Sequence, residues 1–218
     1  MLPALDRVSA VLFDVDGTLI DSNAAHAESW AQALTEHGVP RHAAEVRPLI
    51  GMGSDKLLPT IAGLEEESPQ GRAIARRKKE LFAERLPRLP ATRGARALVV
   101  HLRERGTPMV VATSAGTDEM NAILRQAGVA DLIACRTSSD DAEESKPDPD
   151  IVVAALQRAG APPEATVMIG DTPYDIEAAR RAGVGALVLR CGGYWPDGSF
   201  GGALAIVDDP EALLAGWK

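Results

Sequence analysis

Residues 8–22 read VSAVLFDVDGTLIDS, and this stretch decides the fold. Val8 to Phe13 is a short, nearly unbroken apolar run with β-branched members, the pattern of a strand buried on both faces. It leads directly into Asp14-Val15-Asp16-Gly17-Thr18, two carboxylates followed by a turn former. Similar apolar runs recur at Met109–Ala112, Thr166–Ile169 and Ala186–Leu189, with a weaker one at Leu132–Ala134. Helical patterns lie between them. Ala95, Leu98, Val99 and Leu102 fall at i, i+3, i+4 and i+7, and so do Val152, Ala155, Leu156 and Ala159. Ile123, Leu124 and Ala127 mark a shorter helix that Gly128 ends, and Gly160 and Gly183 close two others. Strands alternating with helices in this way predict an α/β fold, a doubly wound parallel sheet.

The alternation is interrupted after the first strand, where residues 23–90 contain no convincing strand. Ala27, Trp30, Ala31 and Leu34 form one amphipathic helix; Ile74, Leu81 and Phe82 form another, whose Arg76, Arg77, Lys78 and Lys79 read as a solvated face. Ser54-Asp55, after the Gly51-Met52-Gly53 turn, reads as the N-cap of a third. The expectation is therefore a block of helices inserted into an α/β domain. The Gly-rich stretch 192–202 reads as a loop without assigned function.

Composition narrows the classes of function. With 218 residues, 45% hydrophobic and 25% charged, the chain has the makeup of a folded globular protein, and no apolar run is long enough to cross a membrane. A net charge of −8 and a pI near 5.1 argue against nucleic acid or an anionic membrane as partner. Cys135 and Cys191 match no metal or redox spacing and read as free thiols. No basic region or cleavage-like site accompanies the opening MLPALDRV, so no signal peptide and a cytoplasmic location are expected. The oligomeric state is not legible.

In an open parallel sheet, ligands bind outside the carboxyl ends of the strands. The residues at those ends are Asp14 to Thr18, then Thr113-Ser114, then Gly170-Asp171 with Asp175, while Ser145-Lys146-Pro147 precedes a helix. Such residues are also turn formers, but four polar tips on one rim point to a site. Converging carboxylates repel unless a cation neutralises them, and an all-oxygen donor set selects a hard ion such as Mg2+, which takes one or two carboxylates plus a substrate phosphate. Beside such an ion a carboxylate is a competent nucleophile toward phosphorus, and a second carboxyl, protonated at the start, protonates the leaving alcohol and then activates water. Thr113, Ser114 and Lys146 would hold the phosphoryl oxygens.

Asp14-Val15-Asp16-Gly17-Thr18-Leu19-Ile20-Asp21-Ser22 resembles the first signature of the haloacid dehalogenase-like hydrolases. Thr113 at a strand end, Ser145-Lys146-Pro147, and Gly170-Asp171-Thr172-Pro173-Tyr174-Asp175 resemble the other three. The resemblance, strongest to the phosphoglycolate phosphatase and β-phosphoglucomutase-like group, implies a Rossmann-like core of residues 1–20 and 91–218 and a helical cap of residues 21–90. It implies Asp14 as nucleophile and Asp16 as general acid/base. Asp14, Asp171 and the backbone carbonyl of Asp16 would ligate Mg2+, with Asp175 behind them. Phosphate would be bound by Thr113, Ser114 and Lys146. The activity implied is a Mg2+-dependent phosphatase that hydrolyses a small phosphorylated metabolite, such as phosphoglycolate or a sugar phosphate, through an aspartyl-phosphate. His26, Ser54 and Lys56 are candidate substrate contacts.

Related activities remain as alternatives. Dehalogenases lack the second Asp, and Asp16 and Asp171 speak against them. A phosphonoacetaldehyde hydrolase would carry a small residue at Asp16 and a Schiff-base lysine where Ser54 aligns. A β-phosphoglucomutase shares a histidine at His26 but carries cationic cap residues where Ile50 and Ser54 stand, and a bis-phosphate needs such cations. A non-catalytic binder of phospho-ligands would have lost Asp14, Asp16 or Asp171.

Overall fold

Alternate residues of each strand face opposite ways, and this sorts the protein's apolar side chains into two cores, one on each face of a sheet. In the computed structural model, which describes residues 2–217, β1 (Ala10–Phe13) is followed by α1 (Asn23–Glu36), α2 (Ala43–Val46), α3 (Ser54–Ala62), α4 (Pro69–Arg85) and α5 (Ala95–Glu104). Then come β2 (Met109–Ala112), α6 (Thr117–Gln126), β3 (Cys135–Thr137), α7 (Asp150–Ala159), β4 (Thr166–Gly170), α8 (Pro173–Arg181), β5 (Gly185–Leu189), β6 (Ala205–Val207) and α9 (Pro210–Trp217). The six strands form one parallel sheet in the order β3-β2-β1-β4-β5-β6, with β1 at its centre beside β4.

Val11 and Phe13 of β1 join Val111, Ile169 and Leu187 in a core covered by α5, α6 and α9. Leu12, between them, points the other way, into a core with Val110, Met168 and Val188 beneath α7 and α8. This is the doubly wound arrangement expected from the sequence. The helices between β1 and α5 carry a third apolar cluster of their own, with Trp30 and Leu34 of α1, Leu57 and Leu58 of α3, and Ile74 and Leu81 of α4.

Two edges depart from the expectation. The weak run Leu132–Ala134 is not a strand; the third strand is Cys135–Thr137, and Ile133 instead fills the core below α6. β6, over Ala205–Val207, had no counterpart in the sequence reading. Both are three-residue edge strands: Cys135-Arg136-Thr137 carries no apolar run, and Ala205-Ile206-Val207 is apolar but too short for its period to mark it as a strand. Ser54 is also not an N-cap. The cap of α3 is Gly53, because the Ser54 hydroxyl donates instead to Glu66 Oε1 at 2.6 Å.

Leu12 lies wholly buried at the middle of the central strand. Leu12→Ala is expected to cost about 2–5 kcal/mol, a lost side chain plus the cavity it leaves. Urea unfolding checks this; a loss under about 1 kcal/mol would mean that the sheet centre is not packed as described.

Candidate active site

β1 ends where Asp14 N donates to the Ile169 carbonyl of β4, so the Asp14 side chain emerges at the carboxyl edge of the two central strands. Lys146 meets it there, 1% exposed, donating to Asp14 Oδ1 at 2.7 Å and to Asp175 Oδ1 at 2.9 Å. Asp175 is held from its other oxygen by the Asp171 and Thr172 amides and the Thr172 hydroxyl. Thr172 in turn caps α8, whose first residue is Pro173, so helix start and site are one construction. Asp171 Oδ2 accepts from Asn23 Nδ2 at 2.7 Å, while Asp171 Oδ1 is buried with no partner among the described residues.

Burial pushes the Asp14 carboxyl up to about 7, against the pull of the Lys146 ammonium. Burial and then the charges of Asp14 and Asp175 raise Asp171 well above the usual carboxylate range. Burial acts downward on Lys146, but Asp14 and Asp175 outweigh it and hold the ammonium firmly protonated. The Lys146 ammonium thus serves two of the three buried carboxylates, and the third, Asp171, feels the charge of Arg47. Ligand oxygens of Asp14, Asp171 and Asp175 lie within 4.8 Å of one another. Together with the orphaned Asp171 Oδ1, this all-oxygen donor set fits a hard divalent cation.

Asp16 faces differently. Its Oδ1 accepts from Ser22 Oγ at 2.5 Å and lies 2.8 Å from His26 Nε2, whose ring stacks on Phe82 at 3.8 Å. Burial raises the Asp16 pKa, but the charge of His26 and the hydrogen bonds from His26 and Ser22 outweigh it and hold the group at about 2. The expectation of an Asp16 protonated at the outset is not met in this arrangement, because His26 stabilises its anion. Asp14 and Asp16 nevertheless open onto one cavity of about 390 Å³, between the sheet edge and the inserted helices.

Thr113, Ser114 and Ser145 line this cavity; Thr113 is 1% exposed, and its hydroxyl accepts from Ala115 N at 3.1 Å. Ser54 lies on the opposite wall. Lys56 does not reach the cavity. It pairs with Glu144 and with Asp148 at 2.9 Å, tying α3 to the core from outside. Gly53 N donates to Ser145 Oγ at 3.0 Å and Ser145 N to Asp55 Oδ2 at 3.2 Å, a reciprocal dock of the α3 N-terminus on the loop that carries Lys146.

Three contributors escaped the sequence reading. Lys78 is not on a solvated face. It is buried beside the Trp30 and Phe82 rings and donates to Glu119 at 3.0 Å across the cavity. Its spacing of four from both Ile74 and Phe82 was the available signal. Asn23 orients Asp171, and nothing local in the sequence distinguishes it from a helix-start residue. Gly192, in the loop-like stretch, backs Asp171: a Cβ there would sit 1.7 Å from Asp171 Oδ2.

The description "haloacid dehalogenase-like hydrolase" fits residues 8–183, the span matched by that family's model. The phosphoglycolate phosphatase of Rhodospirillum rubrum is 31% identical, covering 95% of this chain and 90% of its own. The validoxylamine A 7'-phosphate phosphatase of Streptomyces hygroscopicus subsp. limoneus is 30% identical over 79% of this chain and 81% of its own. A hydrolase from Pseudomonas syringae superimposes with a TM-score of 0.89 at 29% identity, covering 95% of this chain and 97% of its own.

Gly192→Ala is expected to destabilise the protein by about 1–3 kcal/mol, because the Asp171 carboxylate must shift for a methyl to fit. Gly198→Ala, in open space six residues on, is the control and should change stability by under about 0.5 kcal/mol. Equal urea midpoints for the two variants would show that Gly192 does not back Asp171.

Proposed function

This chain belongs to the haloacid dehalogenase-like hydrolases and is a phosphatase acting on small phosphate esters, and from that premise we propose a Mg2+-dependent reaction through an aspartyl-phosphate on Asp14. Supporting this is the pairing of two carboxylates, two residues apart on one cavity floor but held by different partners, Lys146 for Asp14 and His26 for Asp16. Such a division suits one carboxylate to attack and the other to handle a proton.

In the proposed first step an Asp14 oxygen bonds to phosphorus as the bond to the ester oxygen breaks. The departing oxygen takes a proton that His26 Nε2, 2.8 Å from Asp16 Oδ1, passes through the Asp16 carboxyl held by Ser22, and the water of the next step returns it by the same route. In the second, water loses a proton to Asp16 and attacks the same phosphorus, which releases Asp14 and inorganic phosphate. The sum is one ester and one water giving one alcohol and one phosphate. Lys146 and the Thr113 and Ser114 groups steady the phosphoryl oxygens. When bound, Mg2+ held by Asp14, Asp171 and the Asp16 carbonyl would offset the carboxylate charge and that of the phosphoryl group. The helices of residues 21–90 act in this reading as a cap over a core of residues 1–20 and 91–218, shutting bulk water from the transfer.

Asp14→Asn should abolish phosphate release from p-nitrophenyl phosphate without lowering the unfolding midpoint, and EDTA should silence the native enzyme until Mg2+ is restored. Turnover retained by the folded variant would overturn the nucleophile. Lys146→Ala should lower kcat and raise KM, with kcat/KM falling at least about a hundredfold, since it removes a donor on the transferring group. An unchanged kcat would remove Lys146 from the phosphoryl site.

A further inference from the structure

Two buried oxygens beside the carboxylate cluster accept no hydrogen bond among the described residues, and they belong to side chains that touch each other. They are Asn23 Oδ1 and Asp171 Oδ1, on residues 1% and 3% exposed. Asn23 Nδ2 donates to Asp171 Oδ2 at 2.7 Å and to the Gly192 carbonyl at 3.3 Å. The amide has no good alternative when turned over, since its oxygen would then face the Asp171 carboxylate and the Gly192 carbonyl, acceptor against acceptor. Nδ2 is therefore committed to these two partners, and Oδ1 is left without a donor.

Glycine backbone closes the same side of the contact. A Cβ at Gly17 would lie 2.2 Å from both Asn23 Nδ2 and Asp171 Oδ2, and one at Gly192 would lie 1.7 Å from Asp171 Oδ2. Asp171 Oδ2 is thus packed in by Asn23 and two glycines, which leaves Oδ1 as the oxygen this carboxylate can offer a cation. Arg47 also donates to the Gly192 carbonyl and acts on Asp171 through its charge. Asn23 opens α1, yet its amide serves no backbone group of that helix. Ser22, just before it, donates to Asp16 Oδ1 at 2.5 Å, so consecutive residues hold Asp16 and Asp171.

A buried carboxylate oxygen and a buried amide oxygen without donors each cost free energy. A hard divalent cation answers both, because it takes a carboxylate oxygen as ligand and keeps waters that can donate to a neighbouring acceptor. Resting on the Mg2+ reading above, we infer that Asn23 is a positioning residue for the cation. Its Nδ2 locks Asp171 with Oδ1 presented as the ligand, and its own Oδ1 accepts from a water that the cation carries. Asn23 sets the affinity for Mg2+ without itself ligating the ion.

The test uses MgCl2 alone. Thermal unfolding is followed at increasing MgCl2, without substrate, for the native chain and for Asn23→Ala and Asn23→Ser, both stripped of metal beforehand. The native midpoint should rise with MgCl2, and each variant should need about tenfold or more MgCl2 for the same rise. The MgCl2 concentration that gives half of each protein's own maximal turnover of p-nitrophenyl phosphate should increase by the same factor. A residue that only supported the start of α1 would instead lower the metal-free midpoint and leave the MgCl2 dependence where it was. That result, or failure of both variants to fold, would overturn this inference, while the response of the native chain leaves the Mg2+ reading intact. A native midpoint and a native turnover both indifferent to MgCl2 would strike the Mg2+ reading and this inference with it.

Discussion

The ammonium of Lys146 is the point on which the rest of the site depends. Three buried carboxylates, Asp14, Asp171 and Asp175, crowd the carboxyl end of β1 and β4, and among the described residues Lys146 is the one fully buried cation beside them. Removing one ion from water costs several kcal/mol even after the protein relaxes, so each carboxylate must be compensated by something fixed. Asp175 is compensated best, with the ammonium and three further donors, which is why it sits rigidly and starts a helix. Asp171 has one hydrogen bond, from Asn23, and the charge of the half-buried Arg47, and Asp14 has Lys146 and a longer contact from Thr18 at 3.3 Å. The deficit is concentrated on the two carboxylates that face the cation site proposed above. Glycines make room for this crowding: Gly17, Gly170 and Gly192 each stand where a Cβ would collide with one of these carboxylates.

The central four strands and the larger helices were legible because burial on both sides of a sheet leaves an unmistakable apolar run, and an amphipathic helix leaves a clear period. The edges were not. Cys135–Thr137 is an edge strand with no apolar run, and Ala205–Val207 is apolar over only three residues, too few to show a strand's period. The floor of the site was equally legible. Asp14, Asp16, Thr113, Lys146 and Asp171 lie at strand ends or in loops, and Asp175 in the first turn of α8, all brought by the topology to one rim. The walls were harder to read, because their contacts join residues far apart in sequence. Lys56 looked like a substrate contact from its place beside a glycine turn, yet Glu144 and Asp148, some 90 residues on, draw it away from the cavity. Gly192 lay in a stretch with no periodicity at all, and only its distance to Asp171 explains it.

The inserted helices are docked on the core by polar contacts rather than by a continuous apolar seam. Their own apolar cluster is separate from the two flanking the sheet. Across the junction run the reciprocal bonds of Gly53 and Asp55 with Ser145, the Lys56 ion pairs, Lys78 to Glu119, and the Tyr174 hydroxyl to the Pro48 carbonyl at 2.6 Å. Polar contacts exchange readily for water, whereas an apolar seam resists opening because parting it exposes surface to solvent. A junction of this kind suits helices that must part to admit a ligand and come together again. Phe82 and Ala25, with Leu86 just after α4, are exceptions that reach into the sheet's core and form an apolar contact on one side of the junction.

Two titratable side chains break the apolar pattern of the faces they occupy, and both lead to the chemistry. His26 lies on the buried side of α1 with Ala27 and Trp30, and Lys78 lies on the buried side of α4 between Ile74 and Phe82. A helix that needed only to pack would place leucine or alanine at either position, since burying an imidazole or an ammonium costs free energy that packing does not return. His26 recovers that cost through Asp16 and through its stack on Phe82, and Lys78 through Glu119 and the aromatic rings beneath it. Both partners lie on the cavity wall, on the core side of the junction. Each polar group in an apolar face therefore ties α1 and α4 to one another through an aromatic ring and, through its charged partner, ties both to the cavity wall.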